Sequence, residues 1–260
     1  MAKLRRFSCL KIKHFVIFLT ISTLSCRQNP VAINAIQGER LVLDSTLVAM
    51  DSVAAFIAPY HDRINTVLDS TLAYAPYAIT KTDGALNTTA GNLMADLILE
   101  MANPIYEKRT GETIDFVLLN HGGIRAVISK GNVSARTAYE VMPFENDISV
   151  VTLSGASVTE LVHYIVRSKR AHPFSGLQLM LQADGRLKSF AINGAPVDAQ
   201  ATYHVATSDY LVSGGDDMVF FKNALQVVPL GYKIRNAMID YFSKVDTLKP
   251  RIDQRYLKLP

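Results

Sequence analysis

Cysteine is nearly absent from this sequence, because the chain of 260 residues contains only Cys9 and Cys26. Both lie close to the N-terminus, so the rest of the chain has neither a disulfide nor a thiol nucleophile. Disulfide-stabilised scaffolds and cysteine-dependent hydrolases are therefore excluded. With 49% of its residues apolar, the chain is long enough to bury a core without such cross-links.

A basic surface is also missing, although the net charge of +4 and the pI near 9.0 would suggest one. Five of the 27 basic residues lie within the first 13 positions, and no acid precedes Glu39. The other 22 basic residues stand against 23 acidic ones, so the body of the chain is close to neutral. We therefore predict that the protein binds neither DNA nor RNA, since no basic stripe remains to follow a phosphate backbone.

The apolar run from Phe15 to Leu24 is too short to span a membrane and has the length of a signal-peptide core. It ends in Thr23-Leu24-Ser25-Cys26, which resembles a bacterial lipobox. We predict a lipoprotein signal peptide at residues 1–26, lipidation of Cys26 and a polar tether at 27–42. The protein would then be exported and held in the bacterial cell envelope, touching the membrane only through its lipid. Plain secretion and an uncleaved N-terminal anchor are the alternatives.

Metal-binding and hydrolase motifs are absent as well. The six histidines form no Asp-x-His, Gly-Asn-His-Asp or His-x-His pattern, whereas a two-metal site needs several convergent His, Asp and Asn ligands. We predict no catalytic residue, no metal site and no cofactor in this chain. A serine hydrolase that uses Ser154 or Ser213 with His121 or His204 is an alternative, but the Gly-x-Ser-x-Gly motif is missing.

The hydrophobic pattern predicts helices and strands mixed along the chain, an α+β (mixed α/β) fold. Apolar residues recur every three or four positions from Leu43 to Leu68, which indicates an amphipathic helix interrupted or kinked at Pro59. The other predicted helices are Thr89–Met101 with Pro104 closing it, Ser157 to about Arg170, and Tyr232–Phe242. The predicted strands are Ile114–Leu119, Asp147–Leu153, Leu177–Leu181, Arg186–Ile192 and Tyr203–Ser208, with a hairpin turn at Ala183-Asp184-Gly185.

Three short clusters carry residues that can bind a ligand. In the first, Asn120-His-Gly-Gly-Ile-Arg125, two glycines allow close backbone approach and a guanidinium suits phosphate or carboxylate. In the second, Pro143-Phe144-Glu-Asn146, proline stiffens a loop that presents an aromatic ring beside an amide. The third, Asp209-Tyr210-Leu-Val-Ser-Gly-Gly-Asp216, supplies a ring and an acid that can accept bonds from a ribose diol. Taken singly, these clusters are more typical of turns or, for Phe144, of a core residue.

The order and spacing of these clusters are similar to the C-terminal domain of the 5'-nucleotidase and UDP-sugar hydrolase family. The shared pattern is Asn-x-Gly-Gly-Ile-Arg, then Pro-Phe-x-Asn about eighteen residues later, Leu-Ser-Gly at a helix start, and Gly-Gly-Asp. Upstream, Thr89-Ala-Gly-Asn-Leu-Met-Ala-Asp resembles the start of a family helix. The resemblance covers roughly Leu43 to Leu259 and implies a single domain of the 5'-nucleotidase C-terminal type over residues 43–260.

The resemblance implies a nucleoside or nucleotide ligand. The base would stack between Phe144 and Tyr210, and the amides of Asn120 and Asn146 would face it. Asp216 would hold the ribose hydroxyls, and Arg125 would lie near the ribose and phosphate. The predicted binding residues are Asn120, Gly122, Gly123, Arg125, Phe144, Asn146, Tyr210, Gly215 and Asp216.

Two departures from the family pattern argue against a strongly anionic ligand. Relatives carry arginines shortly before the Gly-Asn-Leu helix start, where this chain has Asp83-Gly-Ala-Leu-Asn87. In addition, Asp217 and Met218 follow Gly-Gly-Asp, and an extra carboxylate at the rim of a pocket would repel phosphate.

Family enzymes hold two divalent metals in a preceding N-terminal domain, for which this sequence has no ligand motifs. We therefore predict that the chain acts with a separate metallophosphatase subunit in nucleotide catabolism. A non-catalytic surface lipoprotein that binds nucleosides or nucleotides is the alternative, and a structural relic with a degenerate pocket is a third interpretation.

Overall fold

The computed structural model describes residues 16–17, 35–44, 46–48 and 50–260. The chain forms two compact units, Met1–Asp51 and Ser52–Pro260. The predicted signal peptide lies almost entirely outside the described residues, and Cys26 and the first part of the tether lie outside them as well. Residues 35–44 are exposed and have no regular secondary structure. Among the described residues, no helix combines the length and the apolar character that crossing a membrane requires.

Residues 50–260 contain six α-helices, and most begin at a hydroxyl side chain. Thr88 caps α2 by accepting a bond from the Gly91 N–H, and Ser154 caps α4 by accepting one from Ser157. The helices are α1 (Asp51–Leu68), α2 (Thr89–Thr110), α3 (Ala135–Val141), α4 (Gly155–Ser168), α5 (Asp209–Val212) and α6 (Ile234–Lys244).

Within residues 50–260, the strands form three sheets. A two-stranded sheet pairs β1 with β3, a central five-stranded sheet has the order β10-β4-β9-β2-β5, and a four-stranded sheet has the order β11-β6-β7-β8. The strands are β1 (Thr71–Ala75), β2 (Phe116–Leu118), β3 (Gly131–Ser134), β4 (Asp147–Ser154), β5 (Phe174–Ser175), β6 (Leu177–Leu181), β7 (Leu187–Ile192), β8 (Ala195–Pro196), β9 (Thr202–Ser208), β10 (Gln226–Lys233) and β11 (Tyr256–Lys258).

Side chains that alternate along the central strands divide the core into two layers. Val150 and Ala206 pack with α2 and α6 on one face of the sheet, whereas Val151 and Val205 pack with α4 and the four-stranded sheet on the other. This buried sheet fixes where its strands end, and the candidate site is built at those ends.

The mixed α/β prediction is confirmed, but several element boundaries were wrong. The helix expected from Leu43 begins only at Asp51 and continues through Pro59, and α2 continues through Pro104 to Thr110. The helix expected to be capped by Ser157 is capped by Ser154 instead. Gly111 ends α2 in the left-handed conformation (φ 80°), so glycine and not proline is the stop signal here.

Candidate functional site

A cavity of about 300 Å³ lies at one edge of the central sheet and brings together eight of the nine residues predicted to bind a ligand. Gly215 is the ninth and does not line it. Met142, an apolar residue that was not predicted from sequence, lines the cavity as well. The lining residues are Asn120, Gly122, Gly123, Arg125, Met142, Phe144, Asn146, Tyr210 and Asp216.

Strand direction explains why segments almost one hundred residues apart meet here. β2 and β9 are parallel, so the Asn120 turn and the Tyr210 segment both leave the sheet at the same edge. β4 is antiparallel to β9 and pairs Ile148 with Ser208 at that edge, which places the loop that precedes β4 beside them. The three sequence clusters therefore converge without any cluster being complete by itself.

Asp216 is held in place by its neighbours. Its carboxylate accepts hydrogen bonds from Asn120 Nδ2 (2.7 Å) and from the Tyr210 hydroxyl (3.0 Å), and its carbonyl accepts one from Tyr164 (2.6 Å). The residue has a left-handed backbone (φ 52°), which is uncommon outside glycine. A carboxylate has about four acceptor positions, so two remain for a ligand. Burial and the charge of Asp216 raise the pKa of Tyr164, which keeps its phenol protonated as a donor.

Gly215 serves the site indirectly, by making room for the Tyr210 ring. A Cβ added at Gly215 would lie 2.4 Å from two carbon atoms of that ring, closer than side-chain atoms can approach. The absence of a side chain therefore lets the ring lie against the backbone and reach Asp216. Gly123 is similarly constrained, since a Cβ there would lie 2.9 Å from Asn120 Oδ1.

The exposed fractions of Phe144 and Tyr210 are 41% and 45%. Neither residue therefore belongs to the core, where aromatic side chains are usually found. No ring contact joins the two within the described part of the chain. The Arg125 guanidinium lies 5.9 Å from the centre of the Phe144 ring, within range of a cation–π interaction. Arg125 also donates to the carbonyl of Gly122 at 3.3 Å.

Two basic residues that were not predicted from sequence hold the Phe144 loop by donating to its backbone carbonyls. Arg235 is buried, donates to the Phe144 carbonyl at 3.3 Å and pairs with the Glu145 carboxylate. Lys233 donates to the carbonyl of Glu145 at 2.7 Å and to Asp147 at 3.0 Å. Both lie where β10 passes into α6, 90 residues along the chain, so nothing local in the sequence could have connected them to the loop.

Lys81 brings a positive charge to the turn that carries Arg125. Its Nζ donates to the Ile124 carbonyl at 2.5 Å, within the turn that carries Arg125. Asp83 has a structural role, because its carboxylate accepts bonds from the backbone N–H and hydroxyl of Thr89 at the start of α2. The expectation that Asp217 lies on the rim was wrong: it lines a separate depression of about 200 Å³ beside His163 and Arg167.

The four residues named for the alternative serine hydrolase all lie in the described part of the chain, and no serine among them is hydrogen-bonded to a histidine. Ser154 Oγ caps α4, and Ser213 Oγ donates to the Tyr210 carbonyl at 2.6 Å. His121 Nε2 lies 3.3 Å from the Lys81 carbonyl, and His204 Nδ1 lies 3.2 Å from that of Thr113. Each candidate nucleophile and base therefore has another partner.

His172 lies buried directly behind the Asn120 turn. Its Nδ1 accepts a hydrogen bond from the backbone N–H of His121 at 3.3 Å, and its Nε2 has no hydrogen-bond partner among the described residues. Burial, followed by the charge of His121, lowers the pKa of His172 to about 4. Burial also lowers the pKa of His121, with Lys81 as the second cause. A neutral imidazole therefore supports the Asn120 turn from its buried side.

We expect the protein to lose stability as the pH falls from about 6.5 to about 4. In this range the unfolded chain protonates His172, whose ordinary pKa is 6.5, whereas the folded chain does not. The unfolded state then binds more protons, and the loss reaches on the order of 3 kcal/mol at pH 4. Urea unfolding at several pH values checks this. His172→Phe should flatten the pH dependence and the exposed His163→Gln should not; an equal slope in His172→Phe would contradict the assignment.

A larger depression of about 730 Å³ lies on the four-stranded sheet, away from the predicted residues. Its charged lining residues are Asp253 and Arg255, which pair with each other at 2.8 Å, and Arg255 also binds Asp96. Neither charged group of this depression is therefore free to bind a ligand, whereas the Asp216 carboxylate of the smaller cavity still has open acceptor positions.

The smaller cavity combines exposed aromatic rings, amides and an anchored carboxylate, which are groups able to contact a small ligand. Within the described ranges, no group of three or more His, Cys, Asp or Glu residues is arranged to hold a metal ion.

The chain belongs to the family of the 5'-nucleotidase C-terminal domain, whose model matches residues 70–223. It is 29% identical to Protein UshA of Escherichia coli over 143 residues, 54% of this chain and 26% of UshA. It is 22% identical to a 5'-nucleotidase of Vibrio cholerae over 213 residues, 78% of this chain and 36% of that protein. The 5'-nucleotidase precursor of Thermus thermophilus shares its fold, with a TM-score of 0.66, 23% identity, and coverage of 80% of this chain and 42% of the other. The chain thus spans less than half the length of each of these relatives.

Proposed function

We propose that this chain is the nucleoside-recognition part of a 5'-nucleotidase-type phosphohydrolase. The observation that carries the proposal is the convergence of Phe144, Tyr210, Asn146 and Asp216 around one cavity. Two exposed rings can stack on a base, at about 1–3 kcal/mol per stacked face. The remaining acceptor positions of Asp216 can bind a ribose diol, and the amide of Asn146 can bond to the edge of the base.

The charge around the cavity favours a nucleoside or a nucleotide with one phosphate over a highly charged ligand. Arg125 is the only cation among the lining residues, and Lys81 stands behind it with its ammonium bonded to the Ile124 carbonyl. Asp216 contributes a negative charge within the same wall. One guanidinium can form a two-pronged pair with one phosphate group, and the cavity lining supplies no second one.

Hydrolysis would require a metal-bearing catalytic unit, because the described residues contain no suitable cluster of ligands. We propose that a metallophosphatase polypeptide supplies this unit and that the chain presents the nucleoside to it. The family model is that of a C-terminal domain, and relatives are more than twice as long as the part matched here, which supports this division. The leader pattern supports export and a lipid anchor on Cys26.

The test is reconstitution. Alone, the chain is expected to release no phosphate from AMP, even with divalent metals added. Co-expressed with a polypeptide of the same genome that carries both Asp-x-His and Gly-Asn-His-Asp, it should co-purify and increase the kcat/KM of that polypeptide for AMP by at least tenfold. Unchanged kinetics with every such polypeptide would refute the proposal.

A pure binding role is the second candidate, supported by the lack of a metal-ligand cluster among the described residues together with the lipobox-like leader. A surface lipoprotein of this kind would capture nucleosides or nucleotides without converting them. It predicts the same binding to the isolated chain but no effect on any phosphatase, so the reconstitution experiment separates the two functions.

A further inference from the structure

The helix α1 carries an uncovered apolar face. Five large apolar residues recur at alternating intervals of four and three, and each is 52–65% exposed. Phe56 lies beside them and is 70% exposed. We call this set the outer stripe; its members are Val53, Phe56, Ile57, Tyr60, Ile64 and Val67. None of the residues of α1 is buried, so the pattern predicted from sequence is present but packs against nothing in this unit.

The polar side of α1, and not its apolar side, faces the domain. Arg136 of α3 donates to Asp69 at 2.5 Å and to Asn65 at 2.7 Å. At about 100° per residue, Asn65 and Asp69 lie roughly 130° and 170° round the helix from the centre of the outer stripe. The Arg136–Asp69 ion pair and the Arg136–Asn65 hydrogen bond therefore hold the helix in an orientation that directs the outer stripe away from the domain.

The charges of α1 argue against a membrane as the occupant. Asp51, Asp62 and Asp69 lie on the polar side of the helix or at its end, with Arg63 as the only base. Helices that lie on anionic lipid carry lysine and arginine on that side, because each basic residue gains from the negative surface potential. A predominantly acidic side would be repelled.

The width of the outer stripe favours a globular protein over a second copy of this helix. A two-stranded coiled coil uses a narrow seam, whereas Phe56 widens this face to the arc typical of a helix that packs against a domain. A pair of helices of 18 residues would also provide only two and a half heptads of contact. That is short for a stable interface, which buries about 1,200–2,000 Å².

The relatives indicate what the globular occupant is. Eighty per cent of this chain is about 208 residues, but only 191 residues run from Ser70 to Pro260. The structural match to the Thermus thermophilus protein must therefore extend back over at least 17 residues before Ser70, which is the position of α1. Since the matched family domain is C-terminal, the rest of such a protein precedes it, so α1 stands at the junction between the two parts.

We propose that the outer stripe is the docking surface for the metallophosphatase unit. This inference rests on the proposed function, and it names the contact through which the two parts associate. Burial of six large apolar side chains would supply the association energy, and Arg136 would fix the angle at which the partner meets the domain.

The experiment measures binding of this chain to each metallophosphatase polypeptide of the same genome by biolayer interferometry. Ile57→Asp and Ile64→Asp each place a carboxylate on the outer stripe, and Ala55→Asp places the same group on the opposite side of α1. Circular dichroism and the melting temperature verify folding, which an exposed position should not perturb. We expect each stripe variant to weaken binding at least tenfold and Ala55→Asp to change it less than twofold.

The possible failures are distinguishable. If wild type and the stripe variants bind a metallophosphatase equally, the docking inference is overturned and the proposed function stands. If wild type binds none of them, the two-chain proposal fails and the docking inference fails with it. If wild type is a dimer by sedimentation and Ile64→Asp makes it a monomer, a second copy of the chain occupies the outer stripe and the inference is wrong.

Discussion

Adenosine binding is expected to weaken by about 10- to 100-fold when Tyr210 is replaced with alanine. The substitution removes one stacking face, which corresponds to about 1–3 kcal/mol, and it also removes the hydroxyl that donates to the Asp216 carboxylate at 3.0 Å. Isothermal titration calorimetry with the purified chain measures the effect.

Tyr210→Phe separates the two contributions, because it keeps the ring and removes only the hydroxyl. We expect it to retain binding of adenine, which needs only the stacking face, and to lose part of the affinity for adenosine, which also needs a fixed carboxylate. If Tyr210→Ala binds adenine and adenosine as tightly as wild type does, Tyr210 does not contact the ligand.

Asp216→Asn is expected to lower the affinity for adenosine by about 10- to 100-fold and leave the affinity for adenine within threefold. A hydrogen bond to a charged acceptor contributes about 1.5–3 kcal/mol. The amide of the variant would also point an N–H group at Asn120 Nδ2 or at the Tyr210 hydroxyl, which are both donors in the wild type. Calorimetry with adenosine, adenine and 2',3'-dideoxyadenosine provides the comparison.

The matched control for this prediction is the neighbouring Asp217→Asn. Asp217 also has a left-handed backbone (φ 58°) but lines a different depression, so its variant should bind adenosine as wild type does. If the two variants behave alike, the ribose role of Asp216 is wrong and only a general effect of charge remains.

Much of the candidate site could be predicted from sequence because its parts are short and locally encoded. Gly122, Gly123 and Gly215 mark places where the backbone approaches another group closely. A Cβ added at Gly123 or at Gly215 would lie less than 3 Å from a neighbouring side chain. Four of the polar and aromatic residues, Asn120, Arg125, Tyr210 and Asp216, lie within five positions of one of these glycines, whereas Phe144 and Asn146 follow a proline. The family resemblance then ordered the clusters, which neither periodicity nor composition could have done.

The supporting residues could not be predicted in the same way, because their roles depend on strand order. Arg235 and Lys233 hold the Phe144 loop only because β10 lies beside β4, and His172 underlies the Asn120 turn because β5 pairs with β2. The orientation of α1 could not be predicted from sequence either. Its periodic pattern predicted a helix, but the ion pair of Arg136 with Asp69 decides which side faces outward.

Two proline residues show why helix ends were misjudged. Pro59 and Pro104 both lie inside helices, although a proline usually ends or kinks the pattern. Pro104 lies in the second half of α2, whose buried residues include Ala102 and Tyr106 on either side of it. Packing of these residues outweighs the hydrogen bond that proline cannot make, a tertiary effect that local propensity does not contain.

The most direct test of the account is calorimetric titration of adenosine, AMP and a UDP-sugar into the purified chain at pH 7.5, without metal or partner. The account predicts micromolar binding of at least one of these ligands, abolished in the double variant Phe144→Ala/Tyr210→Ala while the melting temperature stays within a few degrees of wild type. No detectable binding of any of them at millimolar ligand, by a folded wild-type chain, would contradict it.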